Sequence, residues 1–201
     1  MTAPLRTELT RDDLWSLEQY SENRETFRVK VLAHKKNRKL RVGANMQLIF
    51  EDRLTIQYQI QEMLRIEKIF EGEGIQEELD SYNPLIPNGD NWKCTLFIQY
   101  TDVDERVEQL QKLAGIEEKI WLQIGETDPI YPIADEDMDR TDENKTSAVH
   151  FLRYPLNQDQ IKAAASGQAI FAGVDHPAYQ VDKQPIPTAV QKSLLEDLLT
   201  N

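Results

Sequence analysis

The residues best suited to chemistry in this sequence are two histidines, one within a predicted strand and one at the end of another. His150 shares a strand face with Leu152, so we expect it to point inward, and His176 follows a predicted strand. If those strands are neighbours, Glu62 or Glu67 from a predicted helix would complete a mixed histidine and carboxylate site. Such a site suits a divalent metal such as iron, manganese or zinc. The alternative is one core histidine and one turn histidine, because no local metal-binding motif is present.

A second, less specific group of charged residues could hold a small anion or another small molecule. It consists of Arg65, Lys145, Arg153 and Asp175. No phosphate-binding loop, dinucleotide fingerprint or Gly-x-Ser-x-Gly elbow accompanies them. Cys94 is the only cysteine and falls on the apolar face of a predicted strand, where a thiol usually acts as a small hydrophobe. The sequence therefore leaves open whether the protein is an enzyme.

One long patterned stretch, Arg53–Glu71, is expected to carry the two glutamates of the candidate site. Alternating Ile and Gln residues over positions 56–61 resemble a strand, whereas apolar residues over 56–70 recur at helical spacing. Length and the abundance of Gln, Glu, Leu and Met favour a helix, which Asp52 can cap and the glycines at 72 and 74 can end. We predict a central helix on which the other elements pack.

The remaining elements predict an α+β protein with a mostly antiparallel sheet packed on helices. Its N-terminal third is helical, in two helices separated near Ser21 and Asn23. Predicted strands occupy 46–50, 92–100, 147–154 and 169–174, and 120–124 with 129–133 form a hairpin. Residues 1–179 are assigned to a single domain. Residues 180–201 are assigned to the rest of a polar linker, which begins at Ala178, and to a short C-terminal helix from Thr188.

Composition and charge restrict the classes of partner. The 201 residues are 40% hydrophobic and carry a net charge of −12, which suits a folded domain and argues against duplex nucleic acid as a partner. The basic run Lys35–Arg41 either docks an acidic partner or caps a helix C-terminus. No apolar run approaches the roughly 20 residues of a membrane span, and no signal peptide is evident, so we expect a cytoplasmic protein. A homo-oligomer is compatible with the sequence.

Several phrases together resemble a bacterial family of about 200 residues known only as a domain of unknown function. They include LTRDDLWSLEQY, FEDRLTIQYQIQEMLRIEKIF, KTSAVHFLRY and GVDHPAY. The resemblance runs from about Leu9 to Tyr179, so the C-terminal tail is expected to lie outside the shared part. It implies that the protein is encoded near rubrerythrin-like and iron–sulfur proteins.

Three hypotheses follow. The first is an accessory or binding protein with a protein partner in a non-haem-iron redox or peroxide-defence system. The second is a metal-binding enzyme or redox protein that uses the histidine and carboxylate site. The third is a small-molecule or anion-binding domain.

Overall fold

The computed structural model describes residues 8–138, 140–141 and 145–199. The α-helices of this part are α1 Leu17–Lys35, α2 Arg53–Glu67, α3 Gly72–Tyr82, α4 Val103–Lys112, α5 Gln158–Ala165 and α6 Thr188–Leu195. The strands are β1 Lys39–Val42, β2 Met46–Phe50, β3 Asn91–Ile98, β4 Ile120–Ile124, β5 Ile133–Ala134, β6 Val149–Pro155, β7 Ile170–His176 and β8 Tyr179–Pro185. Short 3₁₀ turns occupy Arg11–Asp13, Lys36–Arg38, Asn83–Leu85 and Ile116–Glu118. No helix among these residues has the length and apolar character needed to cross a membrane.

The strands form two antiparallel sheets, which confirms the predicted α+β class. The larger sheet has the order β1-β2-β3-β6-β5, and the smaller sheet has the order β4-β7-β8. Apolar residues from one face of each sheet share one core, in which Leu96 and Tyr154 of the larger sheet and Leu122 and Ala172 of the smaller sheet are fully buried. The strict alternation of buried and half-buried residues along β2 and β6 follows from this one-sided packing.

Helices α2 and α3 face the other side of the larger sheet, and α1 packs against α2. Ser16 caps α1 and Asp52 caps α2, each through a side chain that accepts a backbone N–H three residues on. Residues 56–61 are helical, as predicted, and Ile56, Ile60 and Leu64 are buried. The face that α2 presents inward therefore follows the helical spacing rather than the Ile/Gln alternation.

Three predicted elements differ in extent. The N-terminal third contains one uninterrupted helix, α1, because Ser21 and Asn23 lie on its exposed side and break nothing. Helix α2 ends at Glu67, where Lys68 adopts a left-handed φ of 57°. The glycines at 72 and 74 lie in the first turn of α3 instead of ending α2.

The predicted hairpin is wrong in its extent, because Leu122 and Ile130 exchange backbone hydrogen bonds in a single antiparallel bridge while β4 and β5 belong to different sheets. Strand β4 pairs with β7 and β5 pairs with β6. The predicted linker from Ala178 to Pro187 is also wrong. Most of it forms β8, an edge strand whose polar side chains face solvent while its backbone pairs with β7.

The C-terminal helix is tied into the core by a buried ion pair. Arg38 is fully buried, and its guanidinium donates to both carboxylate oxygens of Asp197, at 3.1 and 2.7 Å. Burial raises the pKa of Asp197 to about 6 against the opposing effect of Arg38. The indole N–H of Trp92 donates to the carbonyl of Leu194 at 2.9 Å. The segment after Tyr179 is therefore part of the fold.

Candidate ligand-binding cleft

A cleft of about 590 Å³ opens between α3 with the turn that follows it and the helix-facing side of the larger sheet. This volume lies within the range of small-molecule sites. Its apolar lining comes from Met63, Tyr82, Pro84, Leu85, Phe151 and Leu152. Its charged lining comes from Glu78, Asp80, Lys93, Glu136, Asp137 and Arg153. An apolar cleft with a few charged groups is typical of a site for an amphipathic molecule.

Two cations lie side by side on the floor of the cleft. Lys93 of β3 and Arg153 of β6 are directly opposite each other in the antiparallel register. Such like-charge cross-strand pairs are destabilising. The pKa of Lys93 is lowered, mainly by burial and to a smaller extent by the nearby charge of Arg153. An anion bound between these two side chains would offset their mutual repulsion.

Both cations keep donor groups beyond those used by the fold. The ammonium of Lys93 donates to the carbonyls of Pro84 at 2.7 Å and Ile86 at 2.9 Å. It carries three N–H groups, so one has no partner among the described residues. Arg153 donates through Nε and Nη2 to the carboxylate of Glu136, at 2.8 and 2.7 Å. Its Nη1 group likewise has no partner in the described part of the chain.

The rim of the cleft is acidic, and half of its carboxylates are neutralised. Glu136 pairs with Arg153, and Asp137 pairs with Arg140 at 2.5 Å. The guanidinium of Arg140 also lies 4.7 Å from the centroid of the Phe151 ring. Glu78 has no cationic partner among the described residues, and burial together with the nearby Glu67 and Glu77 raises its pKa.

A buried network beneath the rim holds it in place. Asp135 adopts a φ of 49°, an uncommon conformation for a residue other than glycine, and accepts the backbone N–H of Phe151 at 2.9 Å. Its other carboxylate oxygen lies 2.5 Å from Nδ1 of the fully buried His150. On the opposite side of the ring, Nε2 contacts Thr146 at 2.7 Å, and Thr146 donates to Glu117 at 3.1 Å. His150 therefore supports the segment that carries Glu136 and Asp137.

The structure does not assemble the predicted metal set. His150 lies on β6 of the larger sheet and His176 on β7 of the smaller sheet, so the premise that their strands are neighbours is wrong. The ring of His176 contacts the carbonyl of Ala114 at 3.1 Å and the N–H of Ala178 at 3.2 Å. Across the described residues, no group of three or more His, Cys, Asp and Glu side chains could hold a metal ion.

The two glutamates of the predicted metal set, Glu62 and Glu67, lie on α2 away from both histidines' hydrogen-bond partners. Glu62 accepts two hydrogen bonds from Arg24, at 2.7 and 2.9 Å, and one from Tyr20 at 2.6 Å. These contacts, with that of Arg24 the largest, lower the pKa of Glu62 to about 2. Glu62 therefore fastens α1 to α2. Glu67 is exposed at the end of α2.

Of the four residues predicted to bind a small molecule, only Arg153 lines the cleft. Arg65 pairs with Glu62 at 3.1 Å on the surface of α2, and Asp175 accepts the hydroxyl of Tyr131 at 2.7 Å. Lys145 is exposed and is not part of the lining. Sequence reasoning missed Lys93, although its position between the buried Trp92 and Cys94 places it on the opposite face of the strand.

Burial bears on two other predictions. Cys94 is buried in the core, and burial raises the pKa of its thiol well above its ordinary value, as expected of a structural cysteine. In the basic run, Arg38 is buried and paired with Asp197, whereas Lys35 lies 5.8 Å from the centroid of the Tyr58 ring. The run begins at the last residue of α1, which agrees with the helix-end interpretation. Its remaining cations are exposed, namely Lys36, Lys39 and Arg41.

Comparison with a solved structure shows that the whole architecture recurs. A protein of unknown function from Burkholderia pseudomallei K96243, known from a crystal structure at 1.90 Å resolution, is 46% identical with a TM-score of 0.90. The alignment covers 94% of this chain and 98% of that chain. No curated protein matches the sequence.

The family match extends beyond the predicted limit. The model of a family described as "Protein of unknown function (DUF3501)" matches residues 8–198. The prediction that the shared part ends near Tyr179 is therefore wrong, because the match includes β8 and α6, which complete the core. The resemblance itself is confirmed, and the chain belongs to the DUF3501 family of proteins of unknown function.

Proposed function

We propose that this protein is a non-catalytic binding protein that holds a small amphipathic carboxylate in the cleft between α3 and the larger sheet. The observation that carries this proposal is the paired floor of Lys93 and Arg153, each with donors left over after its contacts within the fold. Carboxylates accept charge-assisted hydrogen bonds from such donors, and these are stronger than neutral ones.

The walls of the cleft complement an apolar body attached to the carboxylate. Phe151 lies next to Arg153 in β6, and Tyr82 lies at the end of α3 on the other side of the cleft. Aromatic rings offer large apolar surfaces at a small cost in side-chain entropy. The acidic rim repels a second negative charge, so a molecule with one carboxylate and an apolar body fits better than a polyanion.

The amphipathic anion anilinonaphthalene sulfonate provides a first test. We expect its fluorescence to rise saturably with the native protein and its dissociation constant to rise about tenfold in Lys93→Met, the effect of losing one charge-assisted hydrogen bond. Lys162→Met is the matched control, because Lys162 is exposed on α5 and lies outside the lining. Equal affinity in wild type and Lys93→Met, or no saturable binding, would contradict the proposal.

The association with a non-haem-iron redox or peroxide-defence system remains a separate prediction that derives from the family resemblance. A binding protein is compatible with an accessory role of this kind. Purification from the native host at several salt concentrations, with identification of co-eluting proteins, tests it. We expect an iron-containing partner to co-elute at low salt, and elution of the protein alone under every condition would reject the association.

A further inference from the structure

A second cavity of about 220 Å³ lies beside the cleft on the same face of the larger sheet. Both cavities have Tyr82, Leu85 and Phe151 in their linings, so they are adjacent. We call this second cavity the inner cavity. It extends beneath α2, and its lining includes Glu51, Thr95 and Val149.

Glu51 is a buried carboxylate with incomplete charge compensation. Only 9% of the residue is exposed. Its two carboxylate oxygens accept hydrogen bonds from the hydroxyls of Thr95 at 2.9 Å and Thr55 at 2.6 Å. Both donors are neutral, and Glu51 forms no side-chain ion pair with a cation of the described residues. A buried carboxylate favours a positively charged donor, and each of its oxygens can accept a further bond.

The cations around the inner cavity are engaged elsewhere. Lys35 lines it, but its ammonium lies over the ring of Tyr58. Arg38 donates to the backbone carbonyl of Glu51 at 2.7 Å and gives its side-chain ion pair to Asp197. Among the described residues, no cation that lines the inner cavity donates to the carboxylate of Glu51.

We propose that the ligand is an elongated zwitterion whose carboxylate meets Lys93 and Arg153 and whose primary ammonium meets Glu51. This inference rests on the proposed function and specifies its ligand class. Glu51 lies opposite Lys93 in the sheet, since its N–H donates to the carbonyl of Lys93 at 2.8 Å, and its carboxylate reaches the hydroxyl of Thr95, two residues further along the same face of β3. The spacing of Lys93 and Thr95 corresponds to about 7 Å of strand rise between their Cα atoms. An ω-amino acid with a short methylene chain has this form.

Three matched probes test the inference: ε-aminocaproate, caproate and hexylamine. Each is titrated against the native protein loaded with anilinonaphthalene sulfonate, so that displacement of the dye reports binding. We expect ε-aminocaproate to displace the dye at a concentration about tenfold lower than caproate, the gain from one charge-assisted hydrogen bond. Hexylamine lacks the carboxylate and is expected to bind more weakly than either.

Three variants test whether the ammonium of the ligand binds at Glu51. In Glu51→Gln, the advantage of ε-aminocaproate over caproate should disappear while the affinity for caproate stays the same. Val149→Phe provides a second route if the first variant melts early, because it fills the inner cavity from a half-buried position and leaves Lys93 and Arg153 intact. Glu78→Gln tests whether the rim carboxylate binds the ammonium instead. In this variant ε-aminocaproate should still bind more tightly than caproate.

The outcomes separate this inference from the function on which it rests. If caproate binds as well as ε-aminocaproate, or if Glu78→Gln instead of Glu51→Gln removes the advantage, the zwitterion assignment is wrong and the cleft still binds carboxylates. If the dye binds but neither acid displaces it, the assignment also fails. If the dye does not bind at all, the proposed function itself fails.

Discussion

The two faces of the larger sheet differ in packing and charge. The face toward the smaller sheet carries Leu48, Trp92 and Leu96, all fully buried in one continuous apolar core. The face toward the helices carries Lys93 and Arg153 beside a cleft of about 590 Å³. Neighbouring residues of β3 thus alternate between a closely packed side and an open, charged side.

This difference separates stability from binding within a single strand. Large apolar side chains on the packed face contribute the transfer and packing energy of the core. Charged side chains on the open face lose hydration and oppose each other, as the lowered pKa of Lys93 indicates. Substitutions on the two faces should therefore give opposite patterns in unfolding and binding measurements.

The largest effect is expected from the packed face. Leu96→Ala removes a fully buried side chain and leaves a cavity, so it should lower the free energy of unfolding by about 2–5 kcal/mol. Urea denaturation measures this loss. The dissociation constant for anilinonaphthalene sulfonate should not change at temperatures where the variant is folded. A loss below about 1 kcal/mol would contradict the assignment of this face to the core.

An intermediate effect is expected in the helical layer that covers the open face. Glu62→Gln removes the carboxylate that joins α1 to α2 and should lower the free energy of unfolding at pH 7 by about 2 kcal/mol, the contribution of hydrogen bonds to a charged group. Because the folded pKa of about 2 lies below the ordinary value of 4.5, this stabilisation is fully present above pH 4.5. It is lost as the pH falls toward 2.

Urea denaturation of wild type and Glu62→Gln at pH 7 and pH 3 measures this dependence. The difference between the two proteins should be smaller at pH 3. Glu108→Gln is the control, because Glu108 pairs with Lys112 on the exposed surface of α4 and should give no measurable change at either pH. A difference that grows at pH 3 would show that Glu62 is not the ionised partner of Arg24.

The smallest effect on stability is expected on the open face itself. Lys93→Met removes a partly desolvated cation next to Arg153, and this relief should offset most of the two lost hydrogen bonds to carbonyls. We expect the free energy of unfolding to change by less than about 1 kcal/mol. The same variant is expected to lose about tenfold in dye affinity, as proposed above. If Lys93→Met instead strongly lowered the free energy of unfolding and left dye binding intact, the open face would contribute to stability rather than to binding.

The fold could be predicted largely because local patterns agreed with the packing. In α2, the helical spacing of Ile56, Ile60 and Leu64 matched the buried face, although the intervening glutamines imitate a strand. Strand β8 could not be recognised, because its stability comes from pairing with β7 rather than from its own polar sequence. Edge strands of this kind depend on a partner that the local pattern does not show.

The candidate site was harder to predict, because it depends on contacts between distant segments. His150 was correctly expected to face inward, but its partner Asp135 lies on the edge segment after β5, and only the sheet register brings the two together. Lys93 and Arg153 are 60 positions apart and meet through the pairing of β3 with β6. Nothing in the spacing of charged residues along the chain indicates such a pair.

The ion pair between Arg38 and Asp197 has a consequence for biosynthesis. It joins residues 159 positions apart in the sequence. The hydrogen bond from the Trp92 indole to the carbonyl of Leu194 joins residues 102 positions apart. A chain growing on the ribosome therefore cannot complete its core until α6 has left the exit tunnel. Until then, the guanidinium of Arg38 lacks its carboxylate, and apolar surface on both sheets is exposed to aggregation and to chaperones.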